Sequence, residues 1–239
     1  MTDPSLPTVD HPVSPDGPRR PSLVVFDVNE TLSDMSPMAQ RFAEVGAPAH
    51  LAKTWFAGLL RDGFALAAAG AAVPFAEIGA GLLRVTLPGE PLNRDLPEAV
   101  EHIMGGFTGL ALHPDVLDGV GALSELGVRL VTLTNGSTSV AAGLFQRAGI
   151  SHRFEKLMSV EDAGVWKPAA GAYAYALAEC GVDPLEAMLV AVHPWDIDGA
   201  NRAGLATAWL NRTGGAYPDY FRAADVEATS LTQLAQLLS

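Results

Sequence analysis

Cysteine is almost absent. Cys180 is the only one in 239 residues, so no disulfide can form within the chain, and such sparing use fits a reducing, cytoplasmic setting. Charge is scarce as well, at 18% of residues, and lopsided: 15 Lys and Arg face 27 Asp and Glu, for a formal net charge of −12. That deficit of cations argues against nucleic acid as a partner, because phosphate recognition needs clustered Lys and Arg. An anionic substrate is compatible with it only where a local positive site overrides the global field. No apolar run is long enough to span a bilayer. The opening stretch "MTDPSLPTVDHPVSPDGPRRP" lacks the apolar segment of a signal peptide. The expectation is a cytoplasmic protein with neither a membrane nor a nucleic-acid partner.

What is present is apolar: 49% of residues, in a chain long enough to bury a substantial core. Residues 1–21 are rich in Pro, Asp and Ser without hydrophobic periodicity, and are expected to form a disordered tail. "LVVFD", from Leu23 to Asp27, then reads as a parallel strand covered on both faces. "MAQRFAEVG", "AHLAKTWFAGLLRDGFALAAAG", "FAEIGAGLLRVTL" and "DLPEAVEHIMGGF" all read as helices, with no convincing strand between them. Beyond Leu112, helices alternate with the strands "VRLVTLTN", "KLMSV", "AMLVAV" and "ATAWLN", which argues for a doubly wound parallel sheet. The fold class is therefore α/β, with a core of residues 22–34 and 109–239 interrupted by an all-helical cap at 35–108. The apolar cap helices suit a homodimer.

In such sheets ligands bind beyond the carboxyl ends of the strands. The first strand delivers Asp27 there, with Asn29, Glu30 and Thr31 just behind. The second delivers Thr134 and Asn135; the loop after "KLMSV" delivers Lys167, with Tyr173 six residues on; "AMLVAV" delivers His193, Trp195 and Asp196. Each is weak evidence alone, but four strand ends supply polar groups to one rim. Asp198 reads as structural or solvated.

This constellation resembles the haloacid dehalogenase superfamily, from about residue 22 to 220. "FDVNETL", "TLTNGS", "WKPAAGAY" and "HPWDIDGA…ATAWLNRTG" look most like its L-2-haloacid dehalogenase (type II) branch. The resemblance implies a Rossmann-like core with a helical cap, and Asp27 as a nucleophile that displaces halide and forms an ester which water then hydrolyses. It also implies a small 2-substituted carboxylic acid as substrate, held against Thr134, Asn135 and Lys167.

Most of the superfamily are magnesium-dependent phosphatases. Their resemblance would require an acidic residue where Asn29 stands and another where Ala191 stands, five residues before Asp196. An amide cannot exchange a proton near neutral pH, and alanine offers no oxygen to Mg²⁺. No metal and no cofactor are expected. The dehalogenase resemblance has departures too. That branch commonly has Tyr at Asn29, Gly at Glu30, Asn at His193, and an arginine at Phe56 near the leaving halide, for which Arg41 or Arg61 would have to substitute. Glu30 and His193 together suggest a carboxylate–imidazole pair that activates the hydrolytic water. The candidate catalytic residues are thus Asp27, Glu30, His193, Lys167 and Asp196. Asn29, Thr31, Phe56, Thr134, Asn135, Tyr173 and Trp195 are expected against the substrate. A hydrolase of a strained-ring acid or of a phosphate ester, and a non-catalytic binding protein, are the alternatives.

Overall fold

Leu23–Phe26 form β1, and all four side chains are fully buried. The alternation of the pleat explains how. Leu23 and Val25 face one layer of helices, Val24 and Phe26 the other, in two separate apolar clusters. The structure, a computed structural model, describes residues 20–239. Most of the expected tail lies outside the described residues. Its last two residues do not: Pro21 is buried, and Arg20 Nε donates to Leu238 O at 2.9 Å.

After β1 the chain makes a two-residue strand, β2 (Ser33–Asp34), and enters four helices: α1 (Met38–Glu44), α2 (Leu51–Ala68), α3 (Phe75–Thr86) and α4 (Leu96–Gly105). It leaves through β3 (Ala111–Leu112), which pairs antiparallel with β2, so a short ribbon closes the helical segment at its base. The remainder alternates: α5 (Val116–Glu125), β4 (Arg129–Thr134), α6 (Thr138–Arg147), β5 (Lys156–Ser159), α7 (Val160–Ala163), α8 (Ala170–Cys180), β6 (Ala187–Ala191), α9 (Pro194–Arg202), β7 (Ala206–Leu210), β8 (Val226–Ala228) and α10 (Leu231–Leu237).

Six strands make one parallel sheet in the order β5-β4-β1-β6-β7-β8. β1 is interior, with Phe26 level with Thr132 on one side and Val190 on the other. Side chains of α8 and α9, including Ala176 and Ile197, pack with Leu23 and Val25, while Val120 of α5, Leu144 of α6 and Leu234 of α10 pack with Val24 and Phe26. The α/β class with a parallel sheet and an inserted helical region is what the alternation of elements implies. Among the described residues, no helix is long and apolar enough to cross a membrane.

Several elements differ from the sequence reading. β2, β3 and β8 are two or three residues long, too short to show a period. Helix α9 starts at Pro194, directly after His193, because proline is well suited to a helix's first turn. Trp195 and Asp196 therefore project from a first turn, not from a strand end.

The helical segment is keyed to the sheet domain by aromatic packing. Trp166, just before Lys167, stacks on Phe75 of α3 at 6.1 Å and donates from Nε1 to Val73 O at 3.0 Å. Gly63 of α2 lies flat against the Trp166 ring, where a Cβ would clash. Phe64 of α2 meets Trp195 edge-on at 4.8 Å.

Candidate active site

β1 ends at Phe26, and Asp27 follows with its backbone N–H still donating to Val190 O of β6 at 3.1 Å. Its carboxylate is held at both oxygens: Lys167 Nζ lies 3.0 Å from Oδ1, and Thr31 Oγ1 donates to Oδ2 at 2.6 Å. Thr31 is fixed in turn, since its hydroxyl oxygen accepts from Val192 N at 3.1 Å. Lys167 continues to Asp196 Oδ2 at 2.6 Å, and Tyr173 OH donates to Asp196 Oδ1 at 2.6 Å. All five side chains are buried.

Burial alone would raise the Asp27 carboxyl, but the Lys167 ammonium, the His193 ring and the hydrogen bonds from Thr31 and Lys167 outweigh it and hold the group below its ordinary value. For Asp196 burial dominates, the Asp27 charge adds to it, and the carboxyl is raised despite Lys167 and Tyr173. Lys167 is penalised by burial yet raised overall, because two carboxylates share its ammonium. Burial pushes the Tyr173 phenol well above its usual value. Of the two carboxyls that share Lys167, Asp27 is therefore the one whose ionised form is favoured, and it is the one at the rim.

Asn135 serves as a clamp: Nδ2 donates to Lys167 O at 3.2 Å, while Lys167 N donates to Asn135 Oδ1 at 3.0 Å. Thr134 Oγ1 accepts from Gly136 N at 3.0 Å, which leaves its hydroxyl hydrogen free beside the start of α6. His193 closes the other side. Its ring stacks on Trp195 at 5.0 Å, and Nε2 lies 3.2 Å from Asn29 O, 3.6 Å from Asp27 Oδ2 and 3.7 Å from Glu30 Oε2. The Glu30 distance is longer than a hydrogen bond, and the same ring nitrogen faces all three oxygens. Glu30 has a φ of 63°, the only positive value outside glycine among the described residues, and its carbonyl accepts from His113 Nε2 at 2.9 Å. Phe56 is buried in α2 and shares the wall of an adjoining cavity with Glu30 and His193.

A family model for haloacid dehalogenase-like hydrolases matches residues 21–204. The chain belongs to this family. Among relatives of this haloacid dehalogenase-like hydrolase, an (S)-2-haloacid dehalogenase of Pseudomonas sp. (strain YL) is 28% identical over 90% of this chain and 93% of its own. Haloacetate dehalogenase H-2 of Moraxella sp. (strain B) is 26% identical over 90% and 97%. The fold likeness extends to the L-2-haloacid dehalogenase structure from Xanthobacter autotrophicus, with a TM-score of 0.80 and 23% identity, covering 91% of this chain and 98% of that one.

A magnesium ion of the kind used elsewhere in such hydrolases does not suit these residues. Both Asp27 oxygens are engaged by Lys167 and Thr31, Asn29 presents an amide, and Ala191 of β6 presents no donor. Neither arginine proposed for the cap reaches the nucleophile. Arg61 pairs with Asp62 at 2.8 Å on the surface, and Arg41 pairs with Glu44 and donates from Nε to His102 O at 3.1 Å within the helical segment. Asp198 is structural, holding Arg202 at 2.7 Å and Arg222 N at 3.0 Å. Sequence reasoning missed Trp166, which anchors the turn carrying Lys167; its only signal was an aromatic next to the motif lysine.

Proposed function

We propose that this haloacid dehalogenase-like hydrolase removes halide from small 2-haloalkanoic acids through an ester on Asp27, giving 2-hydroxy acids. The observation that carries the reading is the buried Asp27–Lys167 pair at 3.0 Å, which keeps a desolvated carboxylate ionised with Asn29 and Ala191 in place of metal donors. The named activities of the relatives from Pseudomonas and Moraxella support it.

In this reading the substrate carboxylate lies toward β4, against the free Thr134 hydroxyl hydrogen and the N-terminal end of α6. Lys167 contributes through Asp27 rather than through the substrate, since its ammonium already serves two carboxylates. An Asp27 oxygen attacks the halogen-bearing carbon, the carbon–halogen bond breaks, and halide leaves with the electron pair. Water then adds to the Asp27 carbonyl carbon and gives up a proton. The ester bond breaks, the leaving oxygen takes the second proton of that water, the 2-hydroxy acid departs, and Asp27 is restored as a carboxylate. His193 Nε2 receives the first proton; to do so it gives up its contact with Asn29 O and carries its own proton on Nδ1. Glu30 assists by its charge across 3.7 Å.

Halide release from 2-chloropropionate tests the reading. Turnover should be unchanged by EDTA and lost in Asp27→Asn, which keeps the shape of the side chain but not its nucleophilicity. No halide release, or chelator-sensitive hydrolysis of a phosphate ester instead, overturns it.

A further inference from the structure

Two hollows flank the nucleophile, on opposite sides. The smaller, about 50 Å³, adjoins β4 and is lined by Asn29, Thr134 and Ser137. The larger, about 400 Å³, lies toward β6 and β7 and is lined by Glu30, Val192 and His193 at its inner end. The sheet order β4-β1-β6-β7 dictates this arrangement, because β1 and Asp27 stand between the two. Since His193 Nε2 is 3.6 Å from Asp27 Oδ2, the large cavity ends one side chain's width from the nucleophile.

One wall is apolar, formed by Met35, Met38, Ala39, Ala52, Phe56 and Trp209, while Asp34, Lys53, His113 and Arg212 are among the polar residues that line the rest. The Trp209 ring is fixed, with Nε1 donating to Val192 O at 2.9 Å and Tyr217 packed edge-on at 4.9 Å. The cavity is thus preformed. Its volume falls within the range of pockets that enclose drug-sized ligands, far beyond the two or three carbons of a haloacetate or halopropionate.

We infer that this cavity is the subsite for the carbon chain of the substrate, so that the preferred substrates are 2-halo acids with an extended apolar substituent. The inference rests on the dehalogenase reading above: with the halide leaving on the side of the reacting carbon opposite Asp27 and the carboxylate held on the β4 side, the carbon chain points across β1 toward β6 and β7. It passes His193 and Phe56 and ends among the methionines, whose flexible side chains adapt to varied chain shapes.

The test compares kcat/KM for 2-bromohexanoate and 2-bromopropionate. A preference for the longer acid of about tenfold or more is expected, because each buried methylene discriminates strongly. Ala39→Phe, which fills the cavity from α1, should abolish the preference while leaving 2-bromopropionate unchanged. Met35→Trp fills it from the β2–α1 turn and serves should the first variant fold poorly. Equal or lower kcat/KM for the longer acid overturns the inference, as does a preference that survives both variants, or a loss equal for both substrates in folded variants. If neither acid is turned over, the dehalogenase reading fails separately. Calorimetry with 2-hydroxyhexanoate and lactate then decides the cavity: tighter binding of the longer acid, lost in Ala39→Phe, supports it, and equal affinity overturns it.

Discussion

The ammonium of Lys167 lies 3.0 Å from the Asp27 carboxylate across 140 residues of sequence, and neither group has a comparable alternative in solvent. Lys167→Met should therefore do more than slow the reaction. It leaves Asp27 and Asp196 buried without their shared cation, which costs about 3–5 kcal/mol in the usual case of a broken buried pair. The expected outcome is a large fall in the denaturant midpoint together with loss of halide release. Unchanged stability would mean that water already reaches the two carboxylates.

Glu30 pays for its position in backbone strain. A φ of 63° suits glycine, and the family resemblance has glycine there. Glu30→Gly should stabilise the fold by about 0.5–1 kcal/mol, the left-handed penalty less the extra chain entropy of glycine. If the Glu30 charge assists His193 across 3.7 Å, the same change should slow steady-state turnover by about ten- to a hundredfold while sparing the initial halide burst. Stabilisation without any kinetic cost would remove Glu30 from the mechanism.

The pH dependence follows from Asp27, whose carboxyl is held below its ordinary value against the opposing effect of burial. Stability from such a group is fully present above the unfolded-state value and is lost as pH falls through the lowered folded-state value. The nucleophile stays ionised over the same interval. The halide burst should thus persist as pH drops through the ordinary carboxylate range. Thr31→Val removes the 2.6 Å hydrogen bond to Oδ2, so it should move the acid limb of the burst upward. A limb that does not move would assign it to another group.

Much of this site was legible because strand ends obey a simple rule. Once "LVVF" is read as a strand covered on both faces, Asp27 must emerge at its carboxyl end, and Thr134, Lys167 and His193 join it by the same argument. Partnership was not legible. Nothing in the spacing says that Lys167 divides its charge between Asp27 and Asp196, or that Asn135 clamps the Lys167 backbone rather than facing a ligand. Those contacts arise from the crossing of loops after β4 and β5 with α9. The fate of Arg41, tied to His102 O, and the large cavity behind His193 depend likewise on how the helical segment folds onto itself and onto the sheet. The short strands β2, β3 and β8 carry too few residues for any period to emerge.

His193 separates the two halves of the proposed reaction. Asp27 needs no base to attack, because it is ionised in the resting protein. Water does need one, since its addition to the ester must shed a proton beside a buried carboxylate. Among the described residues, His193 is the imidazole that reaches Asp27, at 3.6 Å, and its ring is held by Trp195 and by the Asn29 carbonyl. His193→Ala should release about one equivalent of halide per site and then stall, with steady-state turnover reduced by about 10²–10⁴-fold. The ester should accumulate on Asp27 and appear in the intact mass as the substrate acyl fragment, at a peptide containing residues 23–34. If the burst disappears while substrate still binds, His193 acts in displacement instead. If turnover continues at the parent rate, the proton leaves by the Lys167–Asp196 pair, whose 2.6 Å contact is the other route out of the site.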